Sequence, residues 1–470
     1  MMKDLADAPT REVVPRHFRK GRARRTHRAP RVLLLTSGLG SGHMRATDAL
    51  VEALGRLAPD AVVHKLDFWS LMNPGVADSI RQIYLQLVQH HPDLYERVHR
   101  LDEHTWRRII ESDLEPPEEV RELIGVILEN RAVGDWMVGA LGPYPSDLLL
   151  YPTACAALQG NTRNTHMALP RLALGKWVWS RLQRRMEQHI LAFKPDVAVS
   201  TQMVPAALVS SVKTDRRLRL PSIAVLTDFG VHDYWIQPGT DLYCLPDESM
   251  IGPPLPAGPH ATFTVTGIPL MPGFSSPPSA TDSRAMLGLD ADAPVVLILG
   301  GGLALGVDAV ARRLLESTPR LQLVVMAGRN AAVRDALVPL AVRRDPRLVV
   351  CDWTDRMEVF LAAADIVVGK PGGLTVAETL ACGRPLLATR SLRGQEGFNV
   401  DFIERNGVGC LIAEEALPTQ IEAWLSDPAA LAAMQATALR LGRRNGAADI
   451  AQRALGLADR ARGEVTRSAN

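Results

Sequence analysis

A chain of 470 residues, 47% hydrophobic and 22% charged, is globular in composition and long enough for two ordinary cores, so two domains are the default expectation. Five cysteines, Cys155, Cys244, Cys351, Cys382 and Cys410, form no CxxC pair and no disulfide framework, which suits a reducing, cytoplasmic setting. No apolar run approaches the ~20 residues of a membrane span, and the first residues lack a secretory core, so any contact with a membrane is expected at its surface.

The net charge of +2 conceals an arm over residues 1–30, where Arg16, Arg19, Lys20, Arg22, Arg24, Arg25 and Arg28, with Arg31 just beyond it, crowd together without an acid among them. Such an arm attracts anionic headgroups or nucleic acid, or is simply solvated and disordered.

The structured chain is expected to start at Arg31. The run RVLLL reads as a strand that stops at Ser37-Gly38-Leu39-Gly40-Ser41-Gly42, and His43 to Leu57 follows helical spacing through Ala46, Ala49, Leu50, Ala53 and Leu54. A second strand at Ala61–Phe68 completes a βαβ start, and runs at Val197–Val199, Ile223–Leu226 and Thr262–Thr266 continue a parallel pattern. Between them, 79–190 reads as a long helical insertion with tryptophans at 106, 136, 177 and 179. Residues 31–272 thus form a first α/β domain.

The stretch Pro272–Asp292, rich in Pro, Ser, Ala and Asp, reads as a linker followed by a helix start. Beyond it VVLILGGG, LQLVVMAG, RLVVCDW, ADIVVGK and RPLLAT alternate with helical segments, which gives a second α/β domain over 285–460. The fold class is therefore α/β, two doubly wound Rossmann-like domains facing across a cleft, with ligands expected at the carboxyl ends of both sheets.

Four loops carry the candidate chemistry. In GLGSGHMRA a histidine, His43, stands where a dinucleotide fingerprint needs its third glycine, so a dehydrogenase ranks low although Asp67 could imitate the ribose acid. A histidine there can take a proton from an acceptor hydroxyl; a helix-capping or packing histidine is the alternative. In TDFGVHDYW, Asp228 and His232 are placed to hold an acceptor or orient that base, or they belong to a polar loop over a buried tryptophan. Gly301 and Gly302 after VVLIL expose amides suited to a phosphate but lack the Lys-Ser/Thr of a P-loop. In GKPGGLTVAETLACGRPLL, Gly372, Gly373 and the first helical amides suit a phosphate and Glu378 suits ribose hydroxyls, while Thr375 and Glu378 also spell a capping box. The turn at GQEGFN offers Gln395, Glu396 and Asn399 to sugar hydroxyls, unless it is a plain surface turn.

GxGSGH after the first strand, KPGGLTxAE and GQEGxN together resemble the processive diacylglycerol glucosyltransferases and plant-type monogalactosyldiacylglycerol synthases. These are relatives of the transferase that adds N-acetylglucosamine to the lipid-linked peptidoglycan precursor. IYLQLVQHHPDLYERVH, KPDVAVSTQ and TFTVTGIPLMPGF resemble the glycolipid branch more than the peptidoglycan one. The resemblance implies a GT-B fold, with the last helix able to return to the first domain, and inverting transfer of a hexose from a UDP-sugar to diacylglycerol or a similar lipid. It implies His43 as catalytic base, Gly372, Gly373, Leu374 and Thr375 near the diphosphate, Glu378 on the ribose, Gln395 and Glu396 on the donor sugar, and Asn330 at a donor-side position, to which the residues themselves add Asp228 beside the base and Gly301 and Gly302 as phosphate-facing amides. No metal or cofactor is implied beyond the UDP-sugar donor. The implied partners are that donor, a lipid acceptor and an anionic membrane surface at the inner face of the cell membrane, without nucleic acid. N-acetylglucosamine transfer to a polyprenyl-linked precursor, a UDP-sugar 2-epimerase on the same fold, and a catalytically silent UDP-sugar sensor remain as competing readings. Two features depart from the family pattern. Thr47 stands where alanine is usual, and residues 106–176 are longer than the family's, reading either as an amphipathic cationic interface or as a helical core element.

Overall fold

The computed structural model describes residues 28–38, 41–71, 168–251, 261–301, 304, 306–318, 320–343, 347–389 and 393–468. Its first sheet has the order β2-β1-β3-β4-β5-β6: β1 Arg31–Thr36, β2 Val62–Asp67, β3 Val197–Ser200, β4 Ser222–Val225, β5 Leu242–Leu245 and β6 Thr262–Val265. The second sheet runs β12-β11-β10-β7-β8-β9: β7 Val295–Leu299, β8 Gln322–Gly328, β9 Leu348–Asp352, β10 Ile366–Gly369, β11 Leu386–Ala388 and β12 Gly409–Leu411. Every pairing in both sheets is parallel.

Parallel strands covered on both faces must be apolar throughout. Accordingly β3, β4, β5, β7 and β10 are buried along their whole length. Two of the twelve strands, β5 (LYCL) and β12 (GCL), have no counterpart among the sequence-based strands, because four or three residues between turns carry too little periodicity to stand out.

Helix α1 (Ser41–Leu57) begins two residues before the expected start and buries Ala46, Ala49, Leu50, Ala53 and Leu54 on one face. Helix α2 (Ala168–Phe193) ends the segment read as an insertion. Its Leu182, Met186 and Ile190, one turn apart, pack into the first domain with Leu33, Leu35 and Phe68, while Arg184 and Arg185 face outward. From 179 onward this helix is therefore a core element. Residues 79–167 of the proposed insertion, residues 1–27 of the basic arm and Gly302 lie outside the described residues.

Helices α3 (Met203–Arg216), α4 (Ala280–Leu287), α5 (Val307–Ser317), α6 (Ala331–Arg343), α7 (Met357–Ala363), α8 (Gly373–Ala381), α9 (Arg393–Arg405), α10 (Leu417–Ser426) and α11 (Pro428–Leu441) follow in order. The final helix, α12 (Gly446–Ser468), crosses back and inserts Ala447, Ile450, Ala451, Ala454 and Ala458 into the first sheet's core beside Leu50 and Leu54 of α1. The linker is partly structured: Pro272–Ser275 forms a 3-10 turn whose Phe274 is fully buried in the second domain's core.

Two local expectations are corrected. GQEGFN is the first turn and a half of α9 rather than a loop. The Thr375–Glu378 capping box is not made, since α8 starts at Gly373 with Gly372 as its cap, and glycine has no side chain to cap the first turn. Thr375 then lies inside the helix, where a hydroxyl cannot take the N-cap role.

Candidate functional site

In each sheet the chain reverses its direction of travel at one point, between β1 and β3 in the first and between β7 and β10 in the second. Ligands of open parallel sheets bind in the crevice at such a point. Here the two crevices face each other. The position a Cβ would take on Gly42, at the start of α1, is 3.8 Å from Leu374 Cβ at the start of α8.

His43 occupies the first crevice. Its Nδ1 lies 2.9 Å from the Thr201 carbonyl, one residue beyond β3, and 3.1 Å from Thr227 Oγ1. A carbonyl only accepts, so Nδ1 carries the proton and Nε2 presents a lone pair. Burial pushes the imidazole pKa down to about 4, against the opposing pull of the Thr201 carbonyl, and the ring is neutral at pH 7. Beneath it the unusual Thr47, fully buried, donates to the His43 carbonyl at 2.9 Å and lies 2.8 Å from Thr201 Oγ1. Alanine at 47 would leave the Thr201 hydroxyl without this partner.

The groups that hold this ring are thus Thr201 and Thr227. Asp228, expected beside His43, points to the other domain: Asn399 Nδ2 on α9 donates to its Oδ1 at 2.9 Å, and the Gly373 amide donates to it as well. Burial raises its pKa, and Asn399, Gly373 and the charge of Lys370 counteract the rise. Asn399 Oδ1 in turn accepts from the Phe229 amide at 2.8 Å, and Phe229 packs against Phe402 with tilted rings whose centres are 4.2 Å apart. A Cβ on Gly373 would fall 1.8 Å from the Thr227 carbonyl oxygen, so only glycine permits this approach. His232 lies apart from this network and caps a short 3-10 turn by accepting from the Tyr234 amide at 3.1 Å.

The second crevice collects the donor-side candidates. Gly301 adopts φ +64°, in the left-handed region, as the chain leaves β7. Gly372, Gly373, Leu374 and Thr375 form the cap and first turn of α8, whose amides point into the crevice. One turn further, Glu378 is pushed up to about 8 by burial, helped by Glu358 and opposed by Arg45. Asn330 caps α6, its Oδ1 accepting from the Val333 amide at 3.2 Å. Gln395 lies in the first turn of α9, and Glu396, 5% exposed, forms an ion pair of 2.7 Å with Lys370, which is 35% exposed.

Sequence reasoning passed over Thr201, Lys370, Asn399 as a bridge, Arg45, Arg329 and Trp353. Lys370 stands inside the quoted KPGG motif, where a cation beside a phosphate loop was a usable signal. Trp353, 44% exposed at the end of β9, lies under Arg329 at 4.4 Å and Arg45 at 5.4 Å from its ring centre. An exposed tryptophan at a strand's carboxyl end was the available clue.

Residues 172–270 match the family described as monogalactosyldiacylglycerol (MGDG) synthase, and residues 295–454 match the glycosyltransferase family 28 C-terminal domain. The processive diacylglycerol beta-glucosyltransferase of Bacillus subtilis (strain 168) is 26% identical over 235 residues, 49% of this chain and 60% of that protein. The protein of the same name from Bacillus cereus (strain B4264) is 27% identical over 267 residues, 56% of this chain and 68% of its own length. The first of these alignments spans well under two thirds of the relative. In fold, the chain is similar to the crystal structure of Acinetobacter baumannii MurG, with a TM-score of 0.52 and 14% identity over 91% of this chain and 99% of the other.

Proposed function

Because the chain belongs to glycosyltransferase family 28, with a segment of the monogalactosyldiacylglycerol synthase type, we propose that it transfers a hexose from a UDP-sugar to the hydroxyl of diacylglycerol or a similar lipid. The observation that carries this reading is the placement of His43: its Nδ1 is tied to the Thr201 carbonyl, which leaves Nε2 as the accepting nitrogen, and the start of its helix meets the amide-rich start of α8.

His43 Nε2 takes the proton of the acceptor hydroxyl as that oxygen attacks the anomeric carbon. The bond from that carbon to the diphosphate oxygen breaks as the new bond forms on the opposite face, so the configuration inverts. The departing UDP carries the bonding pair as phosphate charge, and the free amides of α8, with the Lys370 ammonium, are arranged to stabilise it. Glu378, neutral at pH 7 by its raised pKa, both donates to and accepts from ribose hydroxyls. Gln395 and Glu396 serve the donor sugar, and Asn330, Gly301 and Gly302 line the donor side. Asp228 holds the start of α8 against the acceptor half, so its contribution to catalysis is to keep the two crevices in register. Residues 31–272 form the acceptor half and 285–460 the donor half.

The name shared by the two bacilli's proteins supports a diacylglycerol acceptor and a glucosyl donor. Among the described residues no helix is long and apolar enough to cross a membrane, and the proposed working place is the anionic inner face of the cell membrane, reached through the basic arm. The test offers UDP-glucose, UDP-galactose and UDP-N-acetylglucosamine, each radiolabelled, to the purified protein with diacylglycerol in anionic vesicles. Label in a chloroform-soluble product supports the proposal and names the sugar. Label that stays in water with all three donors contradicts it.

A further inference from the structure

Arg45 belongs to α1 of the first domain, and Arg329 follows β8 of the second. Their guanidinium carbons nevertheless lie over the same indole, that of Trp353, at 5.4 and 4.4 Å from its centre. Neighbouring arginines behave differently: Arg334 reaches Asp352 at 3.6 Å and Asp335 at 3.4 Å. Arg45 and Arg329 have no carboxylate within ion-pair distance among the described residues. Glu378 is near enough for the Arg45 charge to oppose the rise of its pKa, yet makes no ion pair with it. Two like charges held at one indole, with no carboxylate paired to either among the described residues, repel each other, and an anion between them relieves that repulsion. The start of α1 bearing Arg45 abuts the start of α8, whose amides turn toward the same opening.

We infer that Arg45 and Arg329, set on the Trp353 ring from opposite domains, form a phosphate seat for the nucleoside diphosphate donor that exists only while the two halves are closed on each other. This rests on the donor site proposed above and adds to it a residue from the acceptor half. Guanidinium suits the role because its planar fork grips a phosphate through two parallel hydrogen bonds, and the indole fixes the plane of that fork. Arg45 stands two residues from His43, so the helix that carries the base also carries the clamp. Release of UDP then requires the halves to part, and a donor without phosphate does not engage the seat.

Isothermal titration of the full chain with UDP and with uridine tests this. Arg45→Ala should weaken UDP roughly tenfold and leave uridine unchanged, with Arg45→Lys recovering only part because an ammonium lacks the fork. Arg329→Ala should act in the same sense, which keeps the test decisive if Arg45→Ala fails to fold by its melting curve. Equal losses for UDP and uridine would assign the arginines to the nucleoside or to Trp353 packing and overturn the seat, as would unchanged UDP affinity in both variants. A wild-type chain that binds no UDP at all would remove the donor-site reading, and the seat with it.

Discussion

Replacing Asn399 by alanine removes one buried side chain that joins the two domains through both of its amide atoms. The residue is fully buried, donates to Asp228 at 2.9 Å and accepts from the Phe229 amide at 2.8 Å. The Phe229 amide would be left without a partner, at about 1–3 kcal/mol, and the Asp228 carboxylate would lose a charged hydrogen bond of about 1.5–3 kcal/mol. A combined loss near 3 kcal/mol lowers the melting temperature by roughly 6–12 °C, taking about 2–4 °C per kcal/mol for a domain of this size. The loss also has a pH signature. Burial raises the Asp228 pKa above its usual 3.8, so the folded chain favours the neutral acid, and stability falls as pH rises from that value through the raised one. Asn399 opposes the rise by bonding the charged form, so the variant's pKa climbs further and its deficit is larger at pH 8 than at pH 4. Melting curves at both pH values check this, and Asp228→Asn in the same background should recover the pH-dependent part. An equal deficit at the two pH values, or one below about 1 kcal/mol, would refute the bridging role.

Glu378→Gln carries a related signature: the wild-type carboxyl, raised to about 8, makes the folded chain less stable as pH climbs from 4.5 toward 8. The variant should therefore gain on the wild type in melting temperature between pH 5 and pH 8.5, and a constant difference would contradict it. The pH profile of kcat/KM should show no acid limb from His43 between pH 5 and 8, since that ring protonates only near 4; a limb at 6.5 would mean an exposed imidazole. Gly373→Ala places a methyl 1.8 Å from the Thr227 carbonyl oxygen and should cost about 1–3 kcal/mol in thermal stability, whereas Gly372→Ala, with its nearest atom at 3.8 Å, should be tolerated. Equal melting temperatures for the two alanine variants would show that the domains do not approach as described.

The parts of this fold that sequence makes legible are those with a local signature. A strand, a glycine turn and an amphipathic helix are all visible from Arg31 to Leu57, and the long apolar strands of the second sheet announce themselves in the same way. Short strands do not: LYCL and GCL gain their identity only from neighbours in the sheet. GQEGFN reads as a turn because of its two glycines, yet it forms the start of a helix whose Asn399 is held across the cleft. The site divides likewise. His43 is legible from its glycine frame, but Thr201, which sets its tautomer, lies 158 residues away, and Asn399 lies 171 residues from Asp228. No local pattern encodes such pairs, since they arise from how two sheets meet. The Thr375 and Glu378 pair shows the reverse case, a local pattern overridden because the close approach of Gly373 to Thr227 fixes where α8 begins.

In the proposed reaction a neutral His43 deprotonates a lipid hydroxyl while the second domain holds a UDP-sugar. This step is tested most directly by comparing His43→Gln with the wild type in two assays, glycolipid formation in diacylglycerol vesicles and UDP binding by titration. Glycolipid formation should fall by roughly 10²–10⁴ while UDP affinity stays unchanged. Wild-type transfer rates in the variant, or a loss of UDP binding that matches the loss of transfer, would contradict it.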